Sequence, residues 1–284
     1  MIKFFRSTVE TLSDADIVII GVPDESRSHA KRKSTSRAPD VIRLASNETE
    51  FFEREGKIIP TAAMRGNLSE KKILDIGNVE REKLPEIILD IISSRKLPIV
   101  IGGDHSITTI ALRQIGKMLS KVGLFYFDAH PDFVSSTNNY YGSIMTDSAE
   151  FINFRKSMLI GTRAAEVEEI NNAINAGLEI VTPMDIVELG LTKLAAKIDK
   201  KTRHKKYISI DLDCIDPAFA PGVSVPCPGG ISGADLIYLV KRAAQSGIIA
   251  MDVVELSPDF DLNNITACLA AKIISESIAS INTQ

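Results

Sequence analysis

The sequence predicts an α/β protein built on a parallel sheet covered on both faces. Three observations lead there. Apolar runs of strand length recur along the chain. They are continuous rather than alternating, as strands buried on both faces must be. The segments between them carry the periodicity of helices. With 284 residues, 44% apolar and 25% charged, the chain is long enough for a sizeable core. Neither an internal repeat nor a linker-like break divides it, so one domain over 1–284 is expected.

In order, the strands are expected at 17–22, 73–76, 98–101, 122–127, 158–161, 178–181, 207–212 and 248–254. Helical patterns fall between them, among them 108–119, 164–176 and 234–244. Ser232 followed three residues later by Asp235 is a capping-box signature for the last of these. A final helix is expected over 264–281, where Ala267, Ala270, Ile274, Ile278 and Ile281 share one face.

Composition excludes several function classes. A net charge of −4 and a pI near 5.7 give no general attraction to nucleic acid or anionic membrane, and suit a small cationic substrate. The basic stretch 26–39 (SRSHAKRKSTSRAP) lacks interleaved aromatics and reads as a solvated loop. Cys214, Cys227 and Cys268 are odd in number and widely spaced, which argues against a disulfide framework and for a reducing cytoplasm. The first residues lack the apolar core of a signal peptide, and no apolar run is long enough to span a bilayer.

Three expected strands end in clusters of metal-binding side chains, and ligands in open parallel sheets gather at such ends. The strand at 98–101 runs into Gly102-Gly103-Asp104-His105. The strand at 122–127 leads into Asp128-Ala129-His130-Pro131-Asp132, where residues two apart would face one way in extended chain. The strand from 207 leads into Asp211-Leu212-Asp213, while Asp216-Pro217 reads as a turn. Four carboxylates and two imidazoles, His105, Asp128, His130, Asp132, Asp211 and Asp213, are costly to bury together without cations. They are too many for one catalytic zinc. The mixture suits Mn²⁺, and two ions could share aspartates and depress the pKa of water between them.

These motifs resemble those of the ureohydrolase (arginase/agmatinase) family: GGDHSIT at 102–108, DAHPD at 128–132 and SIDLDCIDPAFAPG at 209–222. Weaker matches at 21–23 (GVP), 75–79 (DIGNV), 160–163 (IGTR), 252–258 (DVVELSP) and 266–273 (TACLAAKI) extend the resemblance over nearly the whole chain. It implies a three-layer α/β/α fold with an eight-stranded, mainly parallel sheet, in a homo-oligomer (trimer or hexamer). It implies two Mn²⁺ per subunit: one held by His105, Asp128, Asp132 and Asp211, the other by His130, Asp128, Asp211 and Asp213. Glu255 would pair with the substrate guanidinium, and Asp252 beside it reads as structural. Asp132, Glu255 and the residue at 141 would form the catalytic set.

The sequence departs from the family pattern where a histidine usually follows the DAHxD segment. Tyr141 stands there, a weak base with an ordinary pKa near ~10 that can still donate a proton to a leaving amine. The segment 34–39 lacks the family's glycine, and Cys227 stands where agmatinase-like members often carry Glu. The loop after Asp132 is short, and Ser135, Asn138 and Asn139 offer a substrate neutral hydrogen bonds but no positive charge. The expected reaction is therefore agmatine to urea and putrescine, a step of polyamine biosynthesis. Arginine, guanidino acids and formimino compounds are the alternative substrates. A metal-binding protein without catalysis, acting as a regulatory subunit, and a zinc amidohydrolase are the alternative classes.

Overall fold

In the computed structural model, which describes residues 2–48, 50–59, 66–136, 139–201 and 206–281, each expected apolar run becomes a strand. In chain order the strands are β1 (Ile17–Gly21), β2 (Phe52–Arg54), β3 (Lys57–Ile59), β4 (Ile73–Asn78), β5 (Leu97–Ile101), β6 (Gly123–Phe127), β7 (Met158–Ile160), β8 (Glu179–Val181), β9 (Lys206–Asp211) and β10 (Ala250–Val254). Eight of them form one sheet in the order β4-β1-β5-β10-β9-β6-β7-β8, with every neighbouring pair parallel. β2 and β3 pair antiparallel as a separate hairpin, which the sequence pattern does not reveal. At three residues each, with Glu53, Arg54 and Lys57 exposed, they carry no apolar period to read.

The helices are α1 (Ala38–Glu48), α2 (Leu84–Ser93), α3 (Ser106–Leu119), α4 (Ile144–Asp147), α5 (Val167–Ala176), α6 (Pro183–Leu189), α7 (Leu191–Lys201), α8 (Gly233–Gln245) and α9 (Ile265–Ser280). Alternation along the strands divides them between two faces. Ile17, Ile19, Ile99, Ile101, Ile208 and Ile210 pack in one cluster with residues of α1, α6, α7, α8 and α9. Val18, Ile20, Val100, Leu124, Tyr126 and Tyr207 pack in the other with α2, α3, α4 and α5. This is the three-layer α/β/α arrangement. No helix of the described residues is long and apolar enough to cross a membrane.

Helix boundaries shift for identifiable reasons. The helix expected from 164 begins at Val167, because the Arg163 and Ala164 N–H groups donate to the Ala129 carbonyl. The Ser232 hydroxyl caps α8 by accepting from the Asp235 N–H at 3.1 Å. The apolar face expected on α9 is buried, but so are Ser275, Glu276, Ser277 and Ser280, so the helix is enclosed nearly all round rather than amphipathic. Lys241 of α8 pairs with Glu276 inside that contact.

Two of the weaker motifs serve the sheet. Asp75 accepts from buried Arg43 through Nε (2.8 Å) and Nη2 (2.9 Å), a bidentate pair that fastens α1 to β4. A Cβ on Gly21 would lie 2.1 Å from the Asn78 side-chain oxygen, so only glycine admits this close approach of β1 to β4.

Candidate metal centre

All six candidate ligands converge at the carboxyl ends of β5, β6 and β9, around a pocket of about 220 Å³ lined by His130, Asp132, Tyr141, Asp211, Asp213 and Glu255 among others. The path to His105 explains the glycines before it. A Cβ on Gly103 would fall 1.9 Å from the Asp24 carbonyl oxygen, and one on Gly102 2.6 Å from Val254. Neither glycine adopts positive φ. They allow close packing against Asp24 and Val254 rather than a backbone that needs positive φ.

The Asp128, His130 and Asp132 side chains do meet, but not by alternation along extended chain. The chain bends at Ala129–His130, and Asp132 takes a left-handed φ of 49°. As a result Asp132 and His130 fall in two different groups around Asp128. His105, Asp128 and Asp132 form one group within metal-binding reach; Asp128, His130 and Asp213 form a second. Asp128 belongs to both. Asp211 and Asp213 are likewise arranged by a turn: Asp211 Oδ1 accepts from the Asp213 N–H at 2.8 Å as a 3₁₀ turn begins. Asp211 Oδ2 lies 3.1 Å from His105 Nδ1.

The electrostatics of the cluster call for a cation. His105 Nδ1 faces carboxylate oxygens of Asp128 (3.1 Å), Asp211 (3.1 Å) and Asp132 (3.4 Å). Its other nitrogen, Nε2, lies 2.9 Å from Ser209 Oγ, and Ser209 gives its own proton to Asp252 Oδ1 at 2.7 Å. Nε2–H must therefore be the donor to Ser209, which leaves Nδ1 as the nitrogen facing the carboxylates. Although burial opposes it, the hydrogen bonds and charges of Asp128 and Asp211 hold the His105 pKa well above its ordinary value, so without a cation a proton takes that place. Asp128 Oδ2 is buried and receives no hydrogen bond. Burial, followed by the charge of Asp128, holds the Asp132 carboxyl well above the usual range. Burial and the neighbouring Asp213 do the same to Asp211. For Asp128, burial pushes upward but the two histidines outweigh it, and its pKa falls below the usual range. An orphaned oxygen, an imidazole nitrogen aimed at three carboxylates and an oxygen-rich donor set fit divalent cations.

Glu255 completes the rim of the cluster. It is buried with a left-handed φ of 66°, an uncommon backbone state for a non-glycine residue. Its Oε1 accepts from the His105 N–H at 2.8 Å, whereas Oε2 has no partner. Burial raises its pKa to about 7. Tyr141 lines the same pocket, half-buried, and burial with the charges of Glu255 and Asp132 raises its phenol pKa.

The substrate loop is arranged otherwise than its composition suggests. Ser135 is exposed and turned to α5: its N–H donates to Glu168 at 2.6 Å, and its hydroxyl accepts from Asn172 at 3.2 Å. The Asn139 N–H donates to Asp147 at 3.0 Å. Asn138 lies outside the described residues. Val134, Tyr140, Tyr141 and Gly142 of this segment line the pocket instead.

The model of the arginase family matches residues 15–279. The chain belongs to the arginase family. It is accordingly a hydrolase of the ureohydrolase type. It is 30% identical over 275 residues to an agmatinase of Proteus mirabilis, covering 92% of this chain and 86% of the relative. An agmatinase of Citrobacter koseri is also 30% identical, over 277 residues, covering 93% and 87% of the two chains. Among solved structures, the agmatine ureohydrolase of Thermoplasma volcanium superposes with a TM-score of 0.85 at 30% identity, covering 99% and 94% of the two chains. The arginase of Bacillus caldovelox, at 22% identity and a TM-score of 0.76 over 93% and 98%, shares the fold.

Around the candidate ligands, further residues hold the site in place. Tyr126 stacks on His105, ring centroids 4.8 Å apart, and its hydroxyl donates to Asp132 Oδ2 at 2.5 Å. Its place on β6, two residues before Asp128, is the only sequence signal for it. Asp252 accepts from Ser209, Thr108 (2.7 Å) and Tyr207 (2.5 Å), so it is both fully satisfied and linked to His105. The Arg163 side chain donates to the backbone carbonyls of Asp213 (2.8 Å), Gly161 (3.0 Å) and Cys227 (3.0 Å). That clamp fixes the loop carrying Asp213, and it leaves Cys227 a backbone role.

Proposed function

We propose that the cluster holds two Mn²⁺ ions and that the chain hydrolyses agmatine to urea and putrescine. The observation that carries this reading is Asp128, shared by two histidine-containing groups and keeping a buried oxygen without a hydrogen bond. His105, Asp128, Asp132 and Asp211 would hold one ion, and His130, Asp128, Asp211 and Asp213 the other. Carboxylates with some imidazole favour manganese over softer metals. When bound, such a pair supplies Lewis acidity and lowers the pKa of water enough to make a nucleophile near neutral pH.

The chain's own residues do the rest. Glu255 is oriented by the His105 N–H, and its free Oε2 is the acceptor for a guanidinium N–H in the pocket. In the ionised state it holds the planar cation for attack at its central carbon. Tyr141 lines the pocket with its phenol protonated, as any tyrosine is at neutral pH, and gives that proton to the departing amine. The pocket lining includes Glu166 and Glu169 and, among the described residues, no lysine or arginine, which suits agmatine over a substrate with a carboxylate. This activity would place the chain in polyamine biosynthesis in the cytoplasm, as a homo-oligomer whose size light scattering would give.

The test is urea release from agmatine, arginine, 4-guanidinobutyrate and a formimino compound with Mn²⁺ present. The expected result is the highest kcat/KM for agmatine. No urea from any of them would overturn the hydrolase mechanism, and a preference for arginine would overturn the substrate.

A further inference from the structure

Three aromatic rings from two distant segments meet at the rim of the pocket. His29 stacks on Tyr140 with centroids 5.1 Å apart and 16° between the planes. Tyr141 stands edge-on to both, at 6.1 Å from His29 and 5.8 Å from Tyr140. The arrangement is built in. The Tyr140 ring lies so close over Gly142 that a Cβ there would be 2.9 Å from it. The Tyr141 N–H donates to the Arg27 carbonyl, joining the two segments. The basic stretch thus supplies the His29 ring as a backing for Tyr140 rather than acting only as a solvated loop.

Tyr140 lines the pocket with one face backed by His29, and Glu166, Glu169 and Asp132 line the same pocket. Glu169 spends its two oxygens on the Phe133 and Glu166 N–H groups, so it acts on the pocket through its field. Burial, then the charges of Asp132 and Glu169, raises the phenol pKa of Tyr140, a sign of the negative potential around the ring. A ring face in such a field attracts cations and repels anions.

We propose that Tyr140, buttressed by His29, is the platform for the far end of the substrate, selecting guanidino compounds with a terminal ammonium over neutral or carboxylate-ended ones. This rests on the reading that the pocket takes guanidino compounds. The platform fixes specificity and takes no part in bond cleavage.

Metal-loaded wild type, Tyr140→Leu and Tyr140→Phe are compared on agmatine and on n-butylguanidine, which has the same carbon chain without the ammonium. The ratio of the two kcat/KM values falls about tenfold in Tyr140→Leu, the scale of a partly desolvated cation–π contact. It stays within about twofold in Tyr140→Phe, which keeps the ring face. An unchanged ratio in the Leu variant overturns the proposal, as does an equal loss in the Phe variant, which would assign the effect to the hydroxyl. Calorimetric binding of putrescine separates this proposal from the hydrolytic one. Binding weakened about tenfold by Tyr140→Leu upholds the platform even if no urea forms, and failure of wild type to bind putrescine overturns it.

Discussion

Replacing Ser209 with Ala removes one oxygen from β9, and that oxygen is the link between Asp252 and His105. Asp252 would keep its bonds from Thr108 and Tyr207, so the carboxylate stays satisfied. His105 Nε2–H, buried in the sheet, loses its acceptor at 2.9 Å. A buried donor left without a partner costs about 1–3 kcal/mol. The ring can escape that cost only by rotating or by moving its proton to Nδ1, and either change turns the metal-facing lone pair away. Loss of such an outer hydrogen bond weakens metal binding by about 10- to 100-fold, or about 1.4–2.7 kcal/mol. The assay is calorimetric titration of metal-free protein with Mn²⁺, with unfolding of the metal-free form followed in parallel. A drop in Mn²⁺ affinity in that range upholds the relay. Affinity within twofold of wild type, alongside lower metal-free stability, would show that Ser209 only packs and that His105 is oriented by other contacts.

Other expectations concern separate parts of the molecule. Burial raises the Glu255 pKa from the ordinary 4.5 to about 7 in the folded protein, so the folded form binds more protons and wild type loses stability as pH rises through that window. In metal-free protein, Glu255→Gln should therefore gain up to about 3 kcal/mol relative to wild type between pH 5 and pH 8 by urea unfolding; a pH-independent difference would refute the burial argument. Arg43→Met leaves Asp75 buried without its bidentate partner and should cost about 3–5 kcal/mol in the same assay, with a cost below about 1 kcal/mol ruling the pair unimportant. Tyr141→Phe should lower kcat for agmatine by about a hundredfold with little change in KM. Unchanged turnover would remove Tyr141 from the proton transfer.

The sheet was legible because its strands are buried on both faces, and continuous apolar runs such as 17–21 and 123–127 leave few other structures available. The candidate ligands were legible because they cluster at or just beyond the ends of such runs. Their geometry was not, because it depends on turns: the left-handed backbone at Asp132 and Glu255 has no signature in a residue that is not glycine. Supporting groups were hidden for another reason. Ser209 and Tyr126 lie on strands, where a polar side chain reads as an ordinary position until the neighbouring strand is known. His29 is 111 residues from Tyr140, and nothing in the basic stretch around it announces a ring stacked on the pocket wall. Hairpin β2–β3 was too short and too exposed to leave a period.

The central claim is a two-ion centre organised around Asp128, and metal content after equilibration with excess Mn²⁺ and removal of unbound ion tests it most directly. Two Mn²⁺ per chain are expected for wild type, one for Asp213→Asn, and fewer than one for Asp128→Asn, since Asp128 belongs to both groups. A single ion in wild type, or two ions retained by Asp128→Asn, would contradict it.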